Sequence, residues 1–131
     1  MQNYNLKFKI KEKGQALVTL LFFVLISLTI TSGAIIIIIA NSLSASKLEQ
    51  GNLAYYAAES GVENALLRLL RDPSYAGETL VIDGTTAQII VTGINPKTVD
   101  STGISGNFKR KVQAQALFNN GLYTFSNWKE L

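Results

Sequence analysis

Three patterns of apolar and polar positions follow one another along the chain. The first is continuous. Ala16 to Ala40 reads ALVTLLFFVLISLTITSGAIIIIIA, and its polar members are only Thr19, Ser27, Thr29, Thr31 and Ser32. As a helix rising ~1.5 Å per residue, this stretch reaches about 37 Å. The hydrocarbon core of a bilayer is about 30 Å thick, so the segment predicts a membrane-spanning helix with some tilt. Its hydroxyls are tolerated in lipid because they can bond back to helical carbonyls. Gly33 weakens the helix locally but permits a bend or a close helix contact.

The second pattern has helical period. Leu48, Gly51, Tyr55, Ala58, Val62, Ala65 and Leu69 recur at the a and d positions of a seven-residue repeat, with Leu66 and Leu70 widening the stripe. Glu49, Asn52, Glu59, Ser60, Glu63 and Asn64 fall mostly off it, which predicts an amphipathic helix with a narrow, partly small-residue seam. Most seam positions are expected to bury against the protein's own sheet, leaving the other face for a neighbour. Asp72-Pro73 ends the helix, since proline disfavours helical geometry in the residue before it. Taken as one rod, 15–71 would run on the order of 85 Å.

Beyond it the period changes to two. Thr79–Ile82 and Thr85–Thr92 flank Asp83-Gly84, a two-residue hairpin signal that sets Leu80 opposite Ala87 and Ile82 opposite Thr85. Leu80, Ile82, Ala87, Ile89 and Val91 then share a face toward the helix. A second hairpin is expected from Thr98–Thr102 and Asn107–Phe118, joined by GISG. In its last strand Phe108, Val112, Ala114, Ala116 and Phe118 alternate with Lys109, Lys111, Gln113 and Gln115. The tail NNGLYTFSNWKEL is turn-rich and then aromatic; the pattern leaves open whether Leu122, Phe125 and Trp128 fold onto the sheet or onto another chain. The predicted fold class is α+β: a long N-terminal helix, membrane-spanning in its first half and amphipathic in its second, packed on a small antiparallel sheet. The organisation is a basic leader (1–14), an apolar helix (15–41), an amphipathic continuation (42–72) and a β-domain with an aromatic tail (73–131).

Charge sharpens this division. Gln15 to Ser46 holds no charged residue, whereas Lys7, Lys9, Lys11 and Lys13 precede it. The net charge of +3 therefore sits in the leader, and the remainder carries eight basic and eight acidic residues. The positive-inside rule retains the lysines in the cytoplasm and sends the C-terminus outward. A neutral exported part lacks the basic footprint of a nucleic-acid binder.

The junction KEKGQALVTLLFF (Lys11 to Phe23) resembles the type III signal of type IV pilins and type II secretion pseudopilins. The resemblance implies that a prepilin peptidase cuts between Gly14 and Gln15, removing the leader and leaving the apolar helix to pack against other subunits. LAYYAAESGVENALLRL (Leu53 to Leu69) looks like the segment following the membrane helix in X-type minor pilins. Together the two cover roughly residues 10–70. The resemblance implies a minor pilin or pseudopilin, a structural subunit held as a single-pass protein of the bacterial cytoplasmic membrane and assembled into a pilus-like or secretion-like filament. Leu17, Thr19, Phe22, Phe23, Gly33, Tyr55, Ala58 and Val62 would then be helix-packing positions. Two residues depart from the pattern. The usual first mature residue is phenylalanine, here Gln15. The usual fifth is glutamate, here Thr19, as in K-type tip pseudopilins, which favours a minor or tip-proximal place.

Candidate chemistry changes little. With no cysteine and no histidine, disulfides, thiolate chemistry, most zinc sites and histidine-based catalysis are excluded. No serine elbow and no phosphate loop is readable. No enzyme activity and no cofactor is therefore expected. Asp72, Asp83 and Asp100 are expected in turns or at a helix end, with capping and turn roles ahead of calcium binding. Lys109-Arg110-Lys111 is the basic cluster outside the leader. It suits an edge strand guarded by lysine, and DNA contact through Lys109 and Lys111 is the minor alternative. The competing reading of the whole chain is an uncleaved single-span anchor presenting a module for polysaccharide or DNA.

Overall fold

A computed structural model describes residues 4–131, with side chains from 14 onward. The order of elements is α1 (Tyr4–Arg71), β1 (Thr79–Ile82), β2 (Thr85–Thr92), β3 (Lys97–Ser105), β4 (Phe108–Asn119) and β5 (Leu122–Glu130). The chain divides into two compact units, 1–44 and 45–131.

The second unit is a two-layer α+β domain. Its sheet is a five-stranded antiparallel meander in the order β1-β2-β3-β4-β5. Three of the four strand-to-strand connections turn on two residues, and β2 and β3 are joined by the four residues 93–96. Asp83 and Gly84 have φ of 46° and 76°, and Asn120 and Gly121 have 50° and 80°, the paired positive values that match the twist of flanking strands. Gly106, at φ 55°, opens the β3–β4 turn. The first hairpin has the expected register, with Leu80 opposite Ala87 and Ile82 opposite Thr85.

Two expectations are corrected. GISG is not a loop: β3 runs on through Gly103, Ile104 and Ser105, and the turn falls at Gly106-Asn107. Gly103 reads as a breaker in sequence, but in the fold it lets the helix approach. A Cβ there would overlap the Ala54 carbonyl oxygen and come 2.5 Å from the Ala58 nitrogen. The aromatic tail forms β5, paired along β4 with a bulge between Gln113 and Gln115. β4 is consequently an internal strand, so its lysines do not guard an edge.

The core lies between the 45–71 part of α1 and the inner sheet face. Val62, Leu69, Val99 and Val112 are its largest fully buried side chains, joined by Ala58, Ala65, Leu66, Ile89, Ala114 and Ala116. The helical face is built from small residues, Gly51, Ala54, Ala57, Ala58, Gly61 and Ala65, all buried. Small side chains bring the helix backbone close to the sheet, where packing density matches that of protein interiors. The predicted stripe holds from Gly51 to Leu69 but not at its margins, because Leu48 and Leu70 are exposed. Of the apolar face foreseen on the first hairpin, Ala87 and Ile89 are buried and Leu80 and Val91 half-buried, while Ile82 is exposed beside the turn.

The helix stops where the sequence says it should. Asp72 N donates to the Arg68 carbonyl (2.8 Å), and Ser74 N and Oγ donate to Asp72 Oδ1 (2.8 and 2.5 Å). Arg68 and Arg71 in the last turn complement the negative end of the helix dipole.

Candidate functional site

The candidate site is the apolar part of α1. It is long and apolar enough to cross a membrane, and no part of its most apolar stretch is buried. Leu17, Phe22 and Phe23 are all more than half exposed, and a side chain added at Gly33 would meet nothing. Within a protein such a surface is costly in water, since each large apolar side chain left exposed forgoes about 1.5–3 kcal/mol of transfer free energy. Four of its five hydroxyls bond back to helical carbonyls. Thr19 Oγ1 donates to the Gln15 carbonyl (3.0 Å), Thr29 to Ile26 (2.8 Å), Thr31 to Ser27 (2.7 Å) and Ser32 to Leu28 (2.8 Å). A hydroxyl bonded this way presents little polarity to a surrounding lipid phase.

Gly14 and Gln15, at the expected cleavage point, are both exposed. The leader lysines Lys7, Lys9, Lys11 and Lys13 lie outside the residues whose side chains are described. In the domain, Ala58 and Val62 are completely buried in its own core and Tyr55 is half-buried beside it. These three are therefore intradomain packing positions. What the sequence reading missed is the exposure of two apolar pairs on the same helix: Leu53 and Tyr56 are 43% and 59% exposed, and Leu67 and Leu70, the latter expected on the stripe, are 60% and 53% exposed. The two pairs stand fourteen residues apart, and the seven-residue positions between them are Ser60 and Glu63, so they form two separate apolar patches.

The basic cluster is smaller than its sequence. Lys111 Nζ pairs with Asp100 Oδ2 (3.3 Å), and Arg110 on the opposite face pairs with Glu130 Oε1 (2.8 Å). Lys109 has no ion-pair partner among the described residues. Asp100 sits within β3 rather than in a turn, where Gln113 also donates to it (2.7 Å). Asp83 occupies the β1–β2 turn. The Asp72 carboxyl is held below its ordinary range by the Ser74 hydroxyl and backbone N–H. Among the described residues no three His, Cys, Asp or Glu side chains gather as a metal would require.

At the far end of the domain helix, Arg68 forks onto Glu78 (3.1 and 3.2 Å), and the Tyr75 hydroxyl donates to the same carboxylate (3.1 Å). Burial, then the Glu78 hydrogen bond and charge, push the Tyr75 phenol up to about 12, with Arg68 opposing.

A long N-terminal apolar helix whose later turns pack on an antiparallel sheet is a pilin-like architecture, consistent with a single-pass membrane protein. No protein-family model, curated protein or solved structure matches the chain.

Proposed function

We propose that the chain is a minor pilin or pseudopilin: a non-enzymatic subunit processed by a prepilin peptidase between Gly14 and Gln15, then drawn from the membrane into a helical filament. The observation that carries this reading is the uncovered, uncharged stretch of α1, followed in the same helix by turns that form half of a folded domain. A mere export signal has no need of an apolar run this long. In an assembly the same surface exchanges lipid for the helices of other subunits, where close side-chain packing replaces lipid contact. The exposed pairs Leu53–Tyr56 and Leu67–Leu70 add apolar surface on the domain part of the same helix. By the positive-inside rule the leader lysines favour a cytoplasmic N-terminus, which supports an exported domain.

The test is expression with an active prepilin peptidase, in parallel with Gly14→Val. The wild-type chain is expected to lose residues 1–14 and to enter a sheared filament fraction with partner subunits, while Gly14→Val stays full length in the membrane. Retention of the leader by the wild type, or normal maturation of Gly14→Val, overturns the reading. Retention would leave an uncleaved anchor that presents its sheet to a surface polymer.

A further inference from the structure

Of the two free edges of the sheet, β1 is four residues long and β5 is nine. Natural edge strands are kept from pairing with other chains by shortness, charge, proline or a bulge. β5 carries its irregular residue and its lysine only toward its C-terminal end, at Asn127 (φ 53°) and Lys129. Leu122 to Ser126 has none of these guards, and no charged residue occurs between Lys111 and Lys129.

In a hairpin closed by two turn residues, the pair flanking the turn exchanges both hydrogen bonds, and bonded and non-bonded pairs alternate beyond it. Asn119 and Leu122 flank Asn120-Gly121, so Tyr123 and Phe125 turn their N–H and C=O groups away from β4. Phe118, opposite Tyr123, follows the same alternation: its N–H and carbonyl are taken up by Asn95. The side chains of Tyr123 and Phe125 lie on the helix side. Tyr123 packs against the core, its ring 4.9 Å from that of Phe118 and 6.3 Å from that of Phe125. Phe125 borders a groove of about 330 Å³ with Glu63, Leu66, Leu67 and Leu70 of α1. Leu67 and Leu70 are exposed there.

We propose that this edge takes up an extended strand of another protein, antiparallel to β5 and carrying alternate apolar side chains. The free backbone groups of Tyr123 and Phe125 supply the hydrogen bonds, and the groove along Leu67 and Leu70 receives the apolar side chains on the helix side. That is the division of labour of strand addition, in which main-chain bonds hold the segment and pockets select its alternate residues. Antiparallel pairing continues the pattern of the whole sheet and is the more stable kind per residue. A second copy held in the same membrane does not offer it. β1 and β5 run in the same direction, so in two copies whose α1 helices point the same way either free edge could meet β5 only in parallel. The choice of a different protein rests on the membrane-anchored reading above, and in a filament the strand belongs to a subunit of another kind.

The experiment is amide hydrogen exchange on the purified full chain in detergent, alone and with an excess of a capped seven-residue peptide of alternating threonine and valine. The peptide is expected to slow exchange at Tyr123 and Phe125 by about tenfold or more, while Thr124, already bonded to β4, is unchanged. A counterpart N-methylated at every amide cannot pair and is expected to slow neither. Phe125→Pro removes one outward N–H where an edge strand tolerates proline, and should abolish the effect at Tyr123. Unchanged exchange at both amides with the first peptide, or equal slowing by the methylated one, overturns the proposal. Slow exchange that appears without peptide and grows with protein concentration overturns the choice of partner in favour of a second copy. None of these outcomes depends on cleavage after Gly14, so a failure here leaves the processing reading standing.

Discussion

Gly61 of the helix and Ser101 of β3 meet with no space for a methyl group between them. A Cβ on Gly61 would overlap the Ser101 hydroxyl and lie 3.1 Å from the Ala87 Cβ. Ser101 is completely buried, and its Oγ finds no hydrogen-bond partner among the described residues. The domain thus holds its helix against the sheet at the cost of one unpaired hydroxyl.

Gly61→Ala is expected to destabilise the domain by about 1–3 kcal/mol, the usual range for overpacking a close-packed interior. Gly103→Ala should cost more, because its obstacles are the Ala54 and Ala58 backbone rather than a side chain that can turn. Denaturant unfolding of the full chain in detergent, followed through the single tryptophan, measures both. Equal stability of Gly103→Ala and wild type would contradict the close approach.

Ser101→Ala removes the orphaned hydroxyl and little else. Burying a hydroxyl without a partner costs about 1–3 kcal/mol on mutational scales, so the variant should be as stable as wild type or more so. A loss of stability would mean that Ser101 Oγ has a partner in the folded protein.

Asn95 acts as a substitute strand rung. Its Nδ2 donates to the Phe118 carbonyl and its Oδ1 accepts from the Phe118 N–H, both at 2.9 Å. Asn95→Ala should cost about 1 kcal/mol, since exposed hydrogen bonds contribute at the low end of ~0.5–1.5 kcal/mol each. Hydrogen exchange should report faster loss at the Phe118 amide, with protection in the middle of β3 unchanged.

Tyr75 predicts an alkaline limit. Its folded phenol holds the proton up to about 12, above the ordinary value of 10.0. A raised value means that the folded state binds the proton more tightly. This contribution is therefore complete below pH 10 and is lost as pH rises through 12. Tyr75→Phe should flatten that part of the stability profile; an unchanged profile would assign it to other groups.

Thr19→Glu returns a carboxylate to the fifth residue of the processed helix. If a tip-proximal place depends on an uncharged head, the variant should change its share in sheared filaments relative to wild type. An unchanged share would remove Thr19 from the case for that place.

The sequence by itself determined what depends on neighbours along the chain. An unbroken apolar run specifies a helix whose surface wants lipid or other helices, Asp72-Pro73 specifies its end, and Asp83-Gly84 specifies a hairpin and its register, because each acts within a few residues. Gly106-Asn107 and Asn120-Gly121 carried the same local signal as Asp83-Gly84, but Gly103 and an aromatic tail obscured it. Only the tertiary structure decided that Gly103 belongs inside a strand, since the reason is the backbone of Ala54 and Ala58, far away in sequence. It alone decided that the tail becomes β5 and so makes β4 internal, which cancels the edge-guarding role of its lysines. It also decided which apolar residues of one helix are covered, burying Ala58 and Val62 and exposing Tyr56 and Leu67, because small residues stand where the helix comes closest to the sheet.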